Sequence, residues 1–453
     1  MSVRAIVLAA GKGTRMKSRM PKVLHELCGR PMLWYTLRAL HVAGIDDVIV
    51  VTSGELQEEI ARFGVPGVVQ SEQLGTGHAV KIALENIGER ADGKIVVAYG
   101  DMPLVPAEIF GRIVGALDDG KATVMSLVTV KMPLPSNFGR VVRRGKNVKR
   151  IVEVRDASAD ELEIEEMNAG VYAFGERELR EAVAALENDN AQKEYYLTDV
   201  VEHFVRSGKR VRPILVEDHV HALGINDRVE LAIARREMNA RICAQHMRDG
   251  VTILDPATTY LEPELEIGRD TVIYPNTAIS LLTTIGENCT IGPNARLSEA
   301  RIGDRVEIRE SVVVRSEIGS DSLIGPFAHI RGRAKLAGHN RVGNFVEIKN
   351  SEYARGAKSA HLAYLGDSSI GEETNIGAGT ITCNFDGQRK NRTTIGKNVS
   401  IGSNTSIVAP RTIGDGALTG AGSVVTKDVA PGERVAGNPA KPLPQKEAEP
   451  SKG

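Results

Sequence analysis

Aliphatic residues recur every six positions from Ile267 onward, and this spacing constrains the fold more than any other feature of the chain. Ile267, Ile273, Ile279, Ile285, Ile291 and Leu297 form the first run. After a slip come Ile302, Ile308 and Val314, then Ile318, Ile324, Ile330, Leu336, Val342 and Ile348. The pattern resumes at Ile370 and Ile376, and again at Ile395, Ile401, Ile407, Ile413, Thr419 and Val425. An α-helix cannot use such a repeat, because six residues rotate it by about 240° and scatter the side chains around its axis. A strand can, since six is a multiple of its period of two and every aliphatic then points the same way. Short strands joined by Gly/Asn turns and stacked coil upon coil predict a parallel β-helix.

The repeat breaks twice by more than a residue or two, between Ile348 and Ile370 and between Thr382 and Ile395. A solenoid places insertions on its surface, often on the binding face, so both stretches are candidate functional loops. The end of the chain after Pro439 is polar and Pro-rich, the composition of a disordered tail.

The first 225 residues follow a different rule. Arg4–Ala10, Asp47–Thr52 and Lys94–Ala98 read as strands that are apolar throughout. Pro31–Ala43, Thr76–Ile87 and Pro106–Leu117 read as helices between them. Fully apolar strands separated by helices imply a parallel sheet covered on both faces, with ligands beyond the carboxyl ends of its strands. Residues 139–156 read as a hairpin with a Gly-Lys-Asn turn, a lid or flap over the sheet. From Asn226 to about Asp249 the pattern is one long helix, capped by Asn226 or Asp227 and ended by Gly250. The expected domains are 1–225, a linker helix 226–250, the β-helix 251–438 and the tail 439–453.

Composition narrows the function. With 57 Lys+Arg against 58 Asp+Glu the net charge is -1, which argues against a general nucleic-acid or membrane-surface binder. Aromatics are only 4%, so a narrow solenoid interior of Ile, Val and Leu, with little room for rings, accounts for much of the core. Cys28, Cys243, Cys289 and Cys383 form no CxxC pair, which supports neither a disulfide framework nor a zinc site and suits a reducing compartment. The apolar start is too short for a signal peptide and no run is long enough to span a membrane, so the expected location is cytoplasmic.

Two groups of residues carry chemistry. The first is Leu8-Ala9-Ala10-Gly11-Lys12-Gly13-Thr14-Arg15-Met16 after the first strand, with Pro21-Lys22 just beyond. This is not a Walker loop, yet its glycines admit a triphosphate while Lys12, Arg15 and Lys22 supply counter-charge. With Gln70 to Ala79, Tyr99-Gly100-Asp101 and Asn168-Ala169-Gly170, the string resembles the signature of sugar-phosphate nucleotidyltransferases. Taken with the hexads, the chain from Ala5 to about Val435 resembles a bifunctional family. Its members join an N-acetylglucosamine-1-phosphate uridyltransferase to a glucosamine-1-phosphate N-acetyltransferase.

The resemblance implies an α/β Rossmann-like nucleotidyltransferase domain followed by a left-handed parallel β-helix of hexapeptide repeats. It places UTP against Leu8, Ala9, Ala10, Gly11, Lys22, Gln70, Gly75, Thr76, Tyr99 and Gly100. It puts the sugar phosphate at Gly139, Glu153 and Asn168, and Mg²⁺ on Asp101 and Asn226. Arg15 and Lys22 are the candidates for stabilising charge in the transition state. Two anionic substrates need positioning and charge neutralisation rather than a base.

The second group centres on His361, in Ala-His-Leu-Ala-Tyr-Leu-Gly-Asp. An imidazole can take the proton of a sugar amine as it attacks a thioester. By resemblance, Arg331 and Lys349 meet the sugar phosphate, and Tyr364 and Asn375 the sugar. Acetyl-CoA lies along Ala378, Asn384, Phe385, Ser403, Ala421 and Asn438. Phe385 stands where the family often has Tyr, and Asn438 where some members have Arg. Glu347 is a candidate to orient the imidazolium. The family further implies a homotrimer, no nucleic-acid or membrane partner, and a product, UDP-N-acetylglucosamine, that feeds peptidoglycan, lipopolysaccharide and other envelope synthesis. The alternatives are a one-activity glucose- or mannose-1-phosphate nucleotidyltransferase with a purely structural β-helix, and a non-catalytic assembly protein.

Overall fold

The computed structural model describes residues 2–119, 123–280 and 282–443. The chain forms two compact units, Met1–Arg235 and Arg236–Gly453. The division falls within one long helix, Arg228–Arg248.

The first unit is built on a nine-stranded sheet. Its strands are β1 (Val3–Leu8), β2 (Asp47–Thr52), β3 (Gly67–Val69), β4 (Lys94–Tyr99), β5 (Thr123–Lys131), β6 (Arg140–Arg144), β7 (Asn147–Val152), β8 (Glu166–Gly175) and β9 (Arg210–Val216). The order is β9-β5-β8-β4-β1-β2-β3, with β6 joining β8 and β7 joining β6. Alternate residues of β1 serve opposite cores. Ile6 and Leu8 pack towards helices Thr76–Glu85, Glu176–Ala184 and Asp199–Arg206. Ala5 and Val7 pack towards helices Met32–Val42 and Ala107–Ala116. That double burial is why the strands read as continuous apolar runs.

The sheet is mixed, not wholly parallel: β8 runs antiparallel to both β4 and β5. A continuous apolar strand reports burial on two faces and carries no mark of direction. The hairpin of β6 and β7 turns at Gly145-Lys146 as expected, but it is no separate lid. Arg140 pairs with Met167, so the hairpin extends the sheet itself.

The second unit is a parallel β-helix with three strands per coil. Each strand pairs in parallel with its counterpart one coil on, as in Val272–Ile273 with Thr290–Ile291 and Ala278–Ile279 with Arg296–Leu297. The inward residues stack in three columns. One runs Ile273, Ile291, Ile308, Ile324, Val342. The second runs Ile279, Leu297, Val313, Ile330, Ile348, and the third Ile285, Ile302, Ile318, Leu336. These side chains are at most 5% exposed. At the slip near 314 the inward residue is Val313 and not Val314, because the coil there is shorter than three full hexads.

The two breaks in the repeat differ in kind. The stretch between Ile348 and Ile370 is no insertion. Tyr353 takes the inward place between Leu336 and Ile370, and Ser359 that between Val342 and Ile376. Both are buried, and their hydroxyls share a hydrogen bond of 2.9 Å. The small serine makes room for the ring, and together they replace two aliphatics. The second break is a true insertion: Ser369 pairs with Thr394, whereas one coil earlier Glu352 pairs with Ser369. The extra residues form a loop closed by a bridge between Phe385 and Lys390.

The expected tail begins later than Pro439, since Lys441–Pro442 pair antiparallel with Val435–Ala436. Its remainder, 444–453, lies outside the described residues.

Candidate active sites

In the first unit β1 lies between β2 and β4, where the chain order of the sheet reverses, and its end opens a crevice. Beyond Leu8 the backbone stays tied to both neighbours: Ala9 N donates to Val51 O at 2.8 Å and Gly100 N to Leu8 O at 2.9 Å. The loop then rises to the short turn Thr14–Met16. Gly13 stands at φ 59° with a would-be Cβ only 2.7 Å from Lys22 Cβ, so glycine lets the loop close on Lys22.

Two of the cavities that open there share the end of β4. The smaller, about 300 Å³, is lined by Leu8, Ala9, Ala10, Gly11, Lys22, Gln70, Gly75, Thr76, Tyr99 and Asp101. The larger, about 620 Å³, is lined by Arg15, Tyr99, Asp101, Gly139, Glu153, Asn168 and Asn226. Tyr99 and Asp101 line both, so the cavities meet at the end of β4. Gly100 is buried beneath them and lines neither. Gln73, which the motif contained without being singled out, donates from Nε2 to Ala10 O and lines the smaller cavity.

At the junction Lys22 Nζ forms an ion pair with Asp101 and donates to Asn226 Oδ1 at 3.1 Å. Asn226 is free to face this way because Asp227 caps the helix, accepting from Val229 N and Glu230 N at 2.8 Å each. Ile225 N donates to Asp101 O at 2.9 Å, tying the two segments together. Asp101 and Asn226 thus converge on one cationic group. Among the described residues no cluster of three His, Cys, Asp or Glu could hold a metal. A two-oxygen set of this kind fits Mg²⁺, which completes its shell with water and phosphate oxygens.

Burial raises the Glu153 carboxyl above the usual range, opposed by a hydrogen bond from Thr198 Oγ1 at 3.2 Å. Burial, then Glu153 and Asp101, push the Tyr99 phenol well above its ordinary value, so it stays a neutral donor. Arg228, absent from the sequence reading, donates to Met16 O at 3.3 Å and lies 3.3 Å from His25 Nδ1, bracing the phosphate loop from the helix start.

In the second unit the site residues stack by register. Asn344 pairs with His361, Glu347 with Tyr364, and Arg331 with Lys349 and then Gly366. His361 therefore stands on the strand Lys358–Gly366 and not in an insertion. Its Nδ1 lies 2.7 Å from Asn344 Oδ1. That oxygen can only accept, so the tautomer this contact selects in a neutral imidazole has the proton on Nδ1 and the lone pair on Nε2. Glu347 accepts from Arg331 Nε at 2.8 Å, and the hydrogen-bond partner of His361 Nδ1 is Asn344 rather than Glu347. Asn344 lies one coil below His361 and was legible only with that coil in register.

Lys349 meets a residue the sequence reading passed over. The ammonium of Lys390, then burial and Arg331, lower Lys349 below the usual lysine value, with Asp367 opposing. Three crowded cations, Arg331, Lys349 and Lys390, make a seat for an anion. Asn384 Nδ2 donates to Asp367 Oδ2 at 2.5 Å and approaches Tyr364 Oη at 3.5 Å. Asn375 is exposed and pairs with Lys358, on the strand that carries His361. Gly379 N donates to Leu362 O, Asn404 N to Ala378 O and Gly422 N to Ser403 O, so Ala378, Ser403 and Ala421 climb one corner from the His361 coil. Phe385 is exposed on the inserted loop and Asn438 is exposed beyond the strand Arg434–Ala436, so neither is a rung of that backbone ladder.

Fold and sites together define a two-part transferase: a nucleotidyltransferase domain followed by a hexapeptide-repeat acyltransferase domain. Residues 5–203 match the MobA-like NTP transferase domain family. Residues 282–316 and 392–427 match the bacterial transferase hexapeptide (six repeats) family. "Bifunctional protein GlmU" of Geobacillus sp. (strain WCH70) is 45% identical over 430 residues, covering 94% of this chain and 93% of the relative. The protein of that name from Acetivibrio thermocellus is 43% identical over 428 residues, covering 94% and 92%. That from Streptomyces avermitilis is 42% identical over 435 residues, covering 94% and 90%. Likeness of this depth across both units makes the chain a member of the GlmU family.

Proposed function

We propose that the chain makes UDP-N-acetylglucosamine in two steps, one in each unit. In the second unit the amine nitrogen of glucosamine-1-phosphate attacks the thioester carbon of acetyl-CoA. His361 Nε2 takes the amine proton, the C–S bond breaks, and the proton passes from His361 to the departing sulfur, so that CoA leaves as the thiol. Asn344 holds the imidazole in the tautomer that this step needs. Arg331, Lys349 and Lys390 seat the phosphate, with Tyr364 and Asn375 towards the sugar. Acetyl-CoA follows Ala378, Ser403 and Ala421 along the corner, with Asn384, Phe385 and Asn438 as further contacts.

In the first unit a phosphate oxygen of N-acetylglucosamine-1-phosphate attacks the α-phosphorus of UTP, and the bond to pyrophosphate breaks. UTP takes the smaller cavity and the sugar phosphate the larger. The observation that carries this reading is that the cavities meet at Tyr99 and Asp101, with Lys22 between them. Lys22 and Arg15 approach the junction from the smaller and the larger cavity and offset the developing charge. Asp101 and Asn226 would hold Mg²⁺, which supplies charge neutralisation on the phosphate oxygens when bound.

The protein acts as a homotrimer in the cytoplasm. The exposed Phe327, Phe345 and Leu362 beside the Asn344–His361 pair support assembly, and four cysteines that form no disulfide suit a reducing compartment. No helix among the described residues is long and apolar enough to cross a membrane.

Incubation with glucosamine-1-phosphate, acetyl-CoA, UTP and Mg²⁺ should release CoA thiol and pyrophosphate and yield UDP-N-acetylglucosamine. Pyrophosphate release from UTP and a sugar phosphate without any CoA release would leave the one-activity alternative. Neither product would leave the assembly protein. Sedimentation at the mass of a trimer checks the oligomer, and a monomer would refute it.

A further inference from the structure

One buried hydroxyl beside the larger cavity has no part in the chemistry above. Tyr172 lies on β8, 1% exposed, and its Oη accepts a hydrogen bond from Asn168 Nδ2 at 2.6 Å. In a regular strand, residues four apart are separated by about 13 Å, too far for this contact. The pairing of β8 with β5 shifts register between Asn168 and Tyr172, and Gly170 in that interval has φ 79°. This bulge folds the Asn168 side chain back over the Tyr172 ring. A Cβ at residue 170 would stand 3.0 Å from the Tyr99 ring, so the bulge depends on glycine.

The bulge also settles which way the Asn168 carboxamide faces. Gly170 N donates to Asn168 Oδ1 at 3.1 Å, and a backbone N–H can meet only an acceptor. Oδ1 is thereby committed to Gly170, and one Nδ2 hydrogen to Tyr172. Asn168, Ala169 and Gly170 line the larger cavity, and Tyr172 does not. The second Nδ2 hydrogen is the one donor that Asn168 has left to offer a ligand.

We propose that Tyr172 is a specificity-determining positioning residue: by holding the Asn168 carboxamide, it makes Asn168 a hydrogen-bond donor to an oxygen of the sugar phosphate. The inference rests on reading the larger cavity as the sugar-phosphate site. Loss of the hydroxyl lets the carboxamide swing and weakens that one contact, while the nucleotide cavity is untouched.

The test is steady-state uridylyl transfer by full-length Tyr172→Phe. KM for N-acetylglucosamine-1-phosphate should rise about five- to tenfold, the size of one oriented hydrogen bond. KM for UTP should stay within about twofold of wild type in the folded variant. A sugar-phosphate KM equal to wild type, or both KM values rising together, overturns the proposal. Asn168→Asp provides a second arm, since its side chain can accept but not donate. The proposal requires it to raise the sugar-phosphate KM more than about tenfold, and wild-type affinity would refute it. Failure of the wild-type protein to turn over would instead overturn the reading of the cavity, and this inference with it.

Discussion

The two units place chemistry in the fold in opposite ways. In the first, the site gathers at strand ends and the loops beyond them, and Leu8, Lys22, Tyr99, Asn168 and Asn226 come from separate parts of the chain. Leu8 and Tyr99 also touch the core beneath, but most of that core belongs to other residues. In the second, Asn344 and His361 are strand residues in direct register on successive coils and Tyr364 shares the strand of His361, with the inward columns as their immediate neighbours. The sheet unit draws its site mostly from outside the scaffold, whereas the β-helix makes one periodic strand do both. Substitutions near the first site should therefore alter activity with little effect on folding, while those near the second should couple the two.

The largest test is to disconnect the units. Asp101→Ala should lower uridylyl transfer about a thousandfold, or about 4 kcal/mol of barrier, with acetyl transfer intact. His361→Ala should do the converse, by about 10²- to 10⁴-fold. Separate assays of CoA and pyrophosphate release check both, and a folded variant that loses both activities breaks the division.

Next in size is the orientation of the imidazole. Asn344→Leu should lower the rate of acetyl transfer by about ten- to a hundredfold, the cost of a hydrogen bond to a group that becomes charged. Glu347→Gln should act through Arg331 and raise KM for glucosamine-1-phosphate instead. If the two variants exchanged these effects, Glu347 and not Asn344 would be the partner of His361.

A smaller effect concerns pH. Because Lys390 lowers Lys349, the Lys349 ammonium is lost at a lower pH than that of an ordinary lysine. Affinity for glucosamine-1-phosphate should be full at neutral pH and decline as pH rises through that lowered value. Lys390→Ala should raise KM about tenfold at neutral pH and move the alkaline decline to higher pH. KM profiles of the two proteins check this, and an unmoved decline would separate Lys390 from Lys349.

The smallest effect is on stability. Tyr353→Phe should cost about 1–2 kcal/mol by leaving the buried Ser359 hydroxyl without its partner. Tyr353→Leu combined with Ser359→Val should recover most of it, because both polar groups then leave the interior together. Thermal unfolding of the two variants decides the matter, and a double variant no better than the single would show that packing outweighs the hydrogen bond.

Much of this was legible before any coordinates. Ile273, Ile291 and their successors announced the β-helix, because a narrow prism needs one apolar side chain per strand at fixed intervals. Leu8 to Lys22 with Tyr99-Gly100-Asp101 marked the first site, because a phosphate loop needs glycine and cations at close spacing. What escaped was whatever depends on pairing. Tyr353 and Ser359 fill inward places without being aliphatic, so their coil looked like an insertion, and Asn344 could not be placed under His361. Burial on both faces hid the antiparallel direction of β8. Gln73, Lys390 and Tyr172 act through contacts that no local pattern records.

The sequence by itself determined the repeat, the alternation of strand and helix, and the residue types at each site, since these follow from periodicity and composition along the chain. Only the tertiary structure decided which groups meet. It set Asn344 and not Glu347 against His361, Lys390 against Lys349, and Lys22 between Asp101 and Asn226. Hydrogen bonds and charges act over a few ångströms, and register and bulges bring side chains that close in ways that spacing along one strand does not encode.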